Sequence, residues 1–283
     1  MFTGRVGYCA AAPSAAKASR LAASRRMRVK GRSSSPWGRC YAERRDGRKA
    51  YATIRPAMTF YDYEADARRA YDVVAGGGVA IIPCDIGYAI VGASPEAIAR
   101  AFAAKRRAPA KLNALTGCRA LHQAVHDVDA RGREVVRAIT EDLDLPLGTV
   151  ARYRPEHPLV RRIAPEVLEQ STKAGTVAML VNAGRFLDAL GWLSFVNNLP
   201  IIGSSANVSH RGVKFRVDEI EPEVCEAADL VIDHGVMRWA AYNCSSTMLD
   251  VNEMKVVRHG IGFDLIQDRL KRQFGIELPA PGG

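Results

Sequence analysis

Three short polar segments of this 283-residue chain carry side chains suited to holding an anion. The first is Lys105-Arg106-Arg107, at the end of a helical pattern. Lysine offers a point charge and arginine a planar fork of donors, so Lys105 and Arg107 suit a phosphate. Cations in the last turn of a helix also answer its dipole, which is their commoner role. The second is Gly203-Ser204-Ser205-Ala206-Asn207-Val208-Ser209, directly after an apolar run. Small hydroxyls and an amide there let a ligand approach the backbone and can bind a phosphate or a ribose, although a plain polar turn has the same composition. The third is Cys244-Ser245-Ser246-Thr247, with Arg258 eleven residues beyond Thr247. It reads either as a second hydroxyl-plus-guanidinium site or as a strand edge with a solvated arginine.

Several familiar chemistries have no matching pattern. There is no G-x-x-x-x-G-K-[ST] loop, no G-x-G-x-x-G turn and no G-x-S-x-G elbow. The six cysteines form no C-x-x-C pair, and no Cys/His spacing suits zinc, so no protein-held metal is expected. His122 and His126 stand four apart and can share a helix face, where a surface pair is the expectation without a third ligand. Scattered single cysteines in a chain without an apolar leader fit a reducing cytoplasm.

The elements that must position these clusters alternate along the chain. A helix is expected from Tyr63 to Ala75, stopped by Gly76-Gly77-Gly78. Strands follow at 79–82 and 88–91. Ser94-Pro95-Glu96 then opens a helix with a capping hydroxyl, a proline at the first position and an acid in the first turn. Further strands are expected at 112–116, 149–153, 176–181, 200–203, 230–232, 246–251 and 255–258. Further helices are expected at 134–143, 186–197, 217–228 and 263–274. Strands and helices mixed along one length imply an α/β domain with helices on both faces of a single twisted, open sheet. The hairpin-like spacings at 83–88 and 251–255 make that sheet mixed. In open α/β sheets ligands sit beyond the strand ends, where the second and third clusters lie.

Composition is that of an ordinary globular protein, 48% hydrophobic and 25% charged, with 40 Lys+Arg against 30 Asp+Glu. It excludes a disulfide-stapled miniprotein, a fibre and a mainly disordered chain. No apolar run reaches the ~18 residues of a membrane-spanning helix. The net charge of +10 is concentrated at one end. Residues 1–57 hold 14 basic and two acidic residues, a balance of +12, whereas 58–283 balance at −2. The Ala/Arg/Ser-rich segment 1–57 shows no apolar period and is expected to pack no core. It reads as an organelle-type presequence, as a nucleic-acid arm, or as an extension without function ahead of Met58, with the last favoured.

Taken in order, the clusters resemble a known family. Pro83-x-Asp85-x-x-Tyr88, Lys105-x-Arg107, Ser205-Ala206-Asn207-x-Ser209, Ser246-Thr247 and Arg258-x-Gly260 are similar to the YrdC/YciO family of threonylcarbamoyl-adenylate synthases, over roughly 63–262. The resemblance implies a twisted, open, mixed sheet around a basic cavity. It implies a nucleotidyltransferase acting in tRNA modification, which joins bicarbonate and an amino acid or related amine to ATP with Mg2+ and releases pyrophosphate. Carried over position by position, Lys105 and Arg107 would be the catalytic cations. Ser205, Asn207, Ser246 and Arg258 would hold the nucleotide. Cys84, Ile86, Tyr88, Lys111 and Leu180 would line the substrate pocket.

The departures from the family pattern gather at the amino-acid end. Where the family reads P-T-D-T, this chain has Cys84 and Ile86 in place of both threonines. Ala108 replaces a proline, Lys111-Leu112-Asn113 replaces a basic residue with Pro-Leu, and Leu180-Val181-Asn182 replaces R-V-P. The nucleotide-facing positions are largely kept, so the expectation is ATP or AMP binding with an altered acceptor. The alternative is a non-catalytic paralogue that binds nucleotide or double-stranded RNA through phosphate contacts and shape.

Overall fold

The computed structural model describes residues 60–106 and 112–279, together with the backbone of 41–43 and 49–51. The chain divides into two units, Met1–Met58 and Thr59–Gly283. In the first, β1 (Tyr41–Glu43) pairs antiparallel with β2 (Lys49–Tyr51). The expectation that residues 1–57 lack a packed core otherwise falls outside the described residues.

The second unit alternates helix and strand. Helix α1 (Tyr63–Ala75) leads into the hairpin β3 (Ala80–Cys84) and β4 (Gly87–Gly92), then α2 (Pro95–Ala104) and β5 (Ala114–Thr116). Next come α3 (Arg119–Val125), α4 (Ala130–Arg137), a π-helical turn at Ala138–Asp142 and β6 (Leu147–Arg152). Two short helices, α5 (Pro158–Arg161) and α6 (Pro165–Glu169), precede β7 (Thr172–Lys173), β8 (Thr176–Val181) and α7 (Arg185–Asn197). The chain continues through β9 (Ile202–Ser205), α8 (Pro222–Glu226), β10 (Leu230–Val231), the hairpin β11 (Thr247–Asp250) and β12 (Lys255–Arg258), and α9 (Phe263–Phe274).

Local chemistry accounts for the helix starts. The Asp62 carboxylate accepts from the Ala65 N–H at 3.0 Å, and the Ser94 hydroxyl accepts from Ala97 N–H at 3.1 Å ahead of Pro95. Two expected helices are divided. The 134–143 helix starts earlier, where the Asp129 carboxylate caps Gly132 N–H at 2.7 Å, and it ends in the π-helical turn. The 217–228 helix is broken by Pro222, which cannot continue a preceding turn and instead opens α8. The strand expected at 200–203 lies at Ile202–Ser205, so it carries Ser204 and Ser205 into the sheet.

The ten strands of this unit form one mixed, open sheet in the order β10-β3-β4-β9-β5-β8-β6-β11-β12, with β7 paired to β8. β10–β3, β5–β8 and β6–β11 are parallel pairs, and the others are antiparallel. Helices cover both faces, as expected. Over one face, Phe186, Leu187 and Leu190 of α7 and Ala67, Ala70 and Val74 of α1 pack on Ile82, Cys84 and Val91. On the other face, α2 and α8 pack against Ile81, Tyr88 and Ile90. Helices α3, α5 and α6 pack against Leu115, Met179 and Ile202 on that face. Helices α4 and α9 pack against Leu147, Ala151 and Leu249. No helix among the described residues is long and apolar enough to cross a membrane.

Candidate functional site

The face that carries α1 and α7 is not covered along its whole width. Successive side chains of a strand point to opposite faces, so the pairing register identifies which residues floor the uncovered part. Ala89 lies opposite Ser205, Gly203 opposite Val91 and Ala114, and Ala178 opposite Ala114 and Val150. Leu180 lies opposite Thr116 and Gly148, and Gly148 opposite Met248. Between them, the intervening residues Leu115, Met179 and Leu147 are buried against helices. Alanine and glycine at Ala89, Ala114, Gly148, Ala178 and Gly203, with larger residues on the other face, leave a cavity of about 1040 Å³ above the floor. That volume is sufficient for a nucleotide-sized ligand. A Cβ added to Gly148 would come within 2.6 Å of the Met248 Cγ, so even the floor's glycine is packed.

One wall is the Ser205-Ala206-Asn207 loop. Ala206 N–H donates to the Tyr88 carbonyl at 2.7 Å, and the Ser205 hydroxyl donates to the Asn207 Oδ1. The Asn207 Nδ2 donates to the Val208 carbonyl at 2.6 Å. Lys105, the C-cap of α2, is 1% exposed. Its ammonium donates to the Asn207 carbonyl at 2.7 Å and also to the Ser205 carbonyl, while its own carbonyl accepts from Ser209 N–H at 2.9 Å. Ser205 lines the cavity, and Lys105 and Asn207 stand behind it. The sequence predicts both as ligand contacts. In the fold, Lys105 is a clamp on the backbone that presents Ser205.

The opposite wall is built from Ser245, Ser246 and Arg258. The Arg258 guanidinium donates through Nη2 to the Ser246 carbonyl at 3.0 Å and to the Ser245 hydroxyl at 3.1 Å, and through Nε to the same carbonyl at 3.2 Å. No carboxylate among the described residues pairs with it. Ile261 N–H donates to the Ser245 carbonyl at 2.9 Å, and the Thr247 hydroxyl to the Ile261 carbonyl at 3.1 Å. Gly260 makes this seam close: a Cβ there would lie 2.5 Å from the Ser246 carbonyl carbon. The pairing of β11 with β12 shifts register between Met248 and Leu249. Arg258 opposes Met248, Lys255 opposes Asp250, and Val257 is the extra residue. Without that bulge, residues three apart on a strand face opposite ways. With it, Lys255 and Arg258 both face the cavity.

The hairpin tip between β3 and β4 closes the third side. Asp85 N–H donates to the Ala183 carbonyl at 2.8 Å, and the Asp85 carbonyl accepts from Trp239 N–H at 3.0 Å. The tip thus reaches the turn that follows β8, and Cys84, Ile86, Tyr88 and Leu180 line the cavity there. Burial pushes the Cys84 thiol well above the usual thiol range, with the Asp85 carboxylate adding to the effect, so it stays protonated. The Tyr88 hydroxyl is engaged on the opposite face: it accepts from His234 N–H at 3.0 Å and lies 2.9 Å from the Gly235 carbonyl and 3.1 Å from the Asp233 carboxylate.

The fold therefore brings together Cys84, Ile86, Leu180, Ser205, Ser246 and Arg258 around one cavity, while Tyr88 borders it with its side chain packed on the opposite face. Arg107 and Lys111 lie outside the described residues. Sequence reasoning missed Lys173, at the β7–β8 turn, and Lys255, both of which line the cavity. With Arg258 they make three cationic lining residues against one acidic residue, Asp250. The period-2 pattern around 255–258 places Lys255 on the wrong face unless the bulge is known, and β7 is too short to show a pattern. The His122–His126 pair corrects the surface expectation. Both imidazoles are 2% exposed, with their Nδ1 atoms 2.7 Å apart, His122 within α3 and His126 as its C-cap. Among the described residues, no three His, Cys, Asp or Glu side chains gather to hold a metal.

No match is found among curated proteins. Solved structures do match. The hypothetical protein smu.1377c of Streptococcus mutans superposes with a TM-score of 0.61 at 19% identity, covering 75% of this chain and 93% of its own. P. abyssi Sua5 complexed with L-threonine gives 0.57 at 19%, covering 76% of this chain and 59% of its own. E. coli YciO gives 0.51 at 22%, covering 70% and 91%. At these identities the likeness shows the fold. The family model Sua5_yciO_yrdC, described as telomere recombination, matches residues 72–260, a span that runs from α1 to the Gly260 seam and so contains every wall of the cavity. With two thirds of its length matched and its sheet shared with Sua5 and YciO, this chain belongs to the Sua5/YciO/YrdC family.

Proposed function

We propose that this protein uses ATP to make a carbamoyl-adenylate, releasing pyrophosphate. The observation that carries the reading is the cavity itself. It sets Arg258, Lys255 and Lys173 around the same space as the hydroxyls of Ser205, Ser245 and Ser246, over a floor of mostly small residues. A guanidinium held by two bonds to the Ser246 carbonyl, with no carboxylate partner among the described residues, is preorganised for a phosphate. Membership of a family that includes Sua5, solved in P. abyssi with L-threonine, supports the amino-acid component.

The chemistry balances as two steps. An amine nitrogen attacks the carbon of bicarbonate, loses a proton and expels water, leaving a carbamate. A carbamate oxygen then attacks the α-phosphorus of ATP, and the α–β phosphoanhydride bond breaks with its electron pair leaving on pyrophosphate. The protein has little covalent work to do, so orientation and charge compensation carry the rate. Ser205 and Arg258 would hold the nucleotide from opposite walls, with Ser246 at the phosphate side. Lys105 would act through the loop that it clamps, and Arg107 stands in the proposal as a second cation. Mg2+ would arrive on the polyphosphate, since that ion needs few protein ligands when phosphates supply the rest.

Pyrophosphate release from ATP, with and without bicarbonate and an amine, tests the reading. Release that requires both co-reactants is the expected result. RNA binding by the full chain, with no measurable affinity for ATP or AMP, would replace this reading by the non-catalytic one.

A further inference from the structure

The chemical character of the cavity changes from one wall to the next, and the apolar part is continuous. Cys84, Ile86, Val91 and Leu187 belong to one buried cluster, Leu180 and Ala89 pack against it, and all six line the cavity. Two elements bring them together: the β3–β4 tip reaches the turn after β8, and α7 starts from that turn. Along this wall the polar options among the described residues are few. The buried Cys84 thiol is held protonated, so it packs as a small hydrophobe. By strand register Thr116 is the hydroxyl beside Leu180, and Ser205 the one beside Ala89 at the edge of this wall. Among the described residues the lining cations lie elsewhere: Arg258 opposes Met248, three strands from Leu180 in the order β8-β6-β11-β12, and Lys173 pairs with Thr176, at the other end of β8 from Leu180.

We propose that this wall receives the side chain of the acceptor amine, and that the acceptor is an aliphatic amino acid rather than a hydroxy amino acid. The inference rests on the carbamoyl-adenylate reading above. A hydroxyl placed against Cys84, Ile86 and Leu187 gives up water and can regain at most the Thr116 hydroxyl beside Leu180 as a partner, whereas an isopropyl or isobutyl group gains burial. Valine and threonine are near-isosteres, so they separate these possibilities. An apolar pocket discriminates against an added hydroxyl by roughly a hundredfold, while a pocket built to bond the hydroxyl rejects the analogue lacking it by roughly ten-thousandfold or more.

The test is competition between valine, leucine, threonine and serine for the full-length protein, with ATP and bicarbonate, read as pyrophosphate released per amine. The expected result is a preference for valine or leucine over threonine of tenfold or more. Ile86→Thr is expected to shift the valine-to-threonine ratio toward threonine, with the melting temperature reported alongside so that a folding defect is not mistaken for a change of specificity. Should Ile86→Thr fail to fold, Leu180→Thr, at a partly buried position, supplies the same readout. A preference for threonine in the unmodified protein overturns the aliphatic pocket and leaves carbamoyl-adenylate formation standing. Pyrophosphate release with none of the amines overturns both.

Discussion

Arg258 and Lys105 are both cations of the motif set, and the structure gives them different work. Arg258 faces the cavity with its guanidinium braced by Ser245 and Ser246. Arg258→Ala is expected to weaken nucleotide binding by roughly ten- to a hundredfold, the worth of a charged hydrogen bond at about 1.5–3 kcal/mol, with little loss of stability. Lys105 is buried and its ammonium solvates two loop carbonyls. Lys105→Met leaves those carbonyls without this donor, so it is expected to cost about 1–3 kcal/mol in denaturant unfolding and to weaken binding through Ser205. Equal stability of the two variants would contradict this division. The His122–His126 pair makes a separate prediction. Burial lowers His122 from 6.5 to about 4 and holds His126 well below its usual value. The unfolded chain therefore binds protons first, and the stability that the neutral pair contributes is intact above about pH 6.5 and lost as pH falls from 6.5 toward 4. Denaturation midpoints between pH 4 and 8 should show that slope, and His122→Leu with His126→Leu should flatten it.

The cavity is a property of alternation within elements. On β8 the positions 176, 178 and 180 face the cavity, and Val177, Met179 and Val181 face the helices. Ala178→Phe is expected to abolish nucleotide binding while leaving unfolding nearly unchanged. Met179→Ala, at a position with 0% exposure, is expected to cost about 2–5 kcal/mol of stability. Binding assays paired with urea unfolding separate the two effects, and an Ala178→Phe variant that binds ATP normally would show that the ligand lies elsewhere. Much of this level was legible in the sequence. The cap at Ser94 rests on chemistry within four residues and its helix begins where that residue indicates, and the helix expected from Tyr63 begins there, behind the Asp62 cap. What was not legible depends on distant pairing. The bulge at Val257 exists only in the register of β12 against β11, and it alone turns Lys255 to the side of Arg258. The role of Lys105 was hidden for the same reason, since Ser205 is brought beside it by the β4–β9 pairing. The histidine pair was misjudged because i,i+4 spacing identifies a shared face and says nothing of what covers it.

For the whole molecule, net charge is a poor guide to the site. The +10 of the chain resides in residues 1–57, and 58–283 are close to neutral. Among the described residues, the cations at the site are the three that the fold places around one cavity. Any RNA affinity of the chain is therefore expected to come from the first 57 residues, through counterion release. A chain beginning at Met58 is expected to lose salt-dependent RNA binding while ATP affinity is unchanged, and undiminished RNA binding by that chain would refute the assignment. The most direct measurement of the central claim is the product itself. The full-length protein would be incubated with ATP, an amine and 13C-bicarbonate, and the adenylate fraction weighed by mass spectrometry. The account predicts an amine-dependent carbamoyl-AMP that is one mass unit heavier with the labelled bicarbonate. AMP formed without a carbamoyl group, or no adenylate at all in a protein that binds ATP, would contradict it.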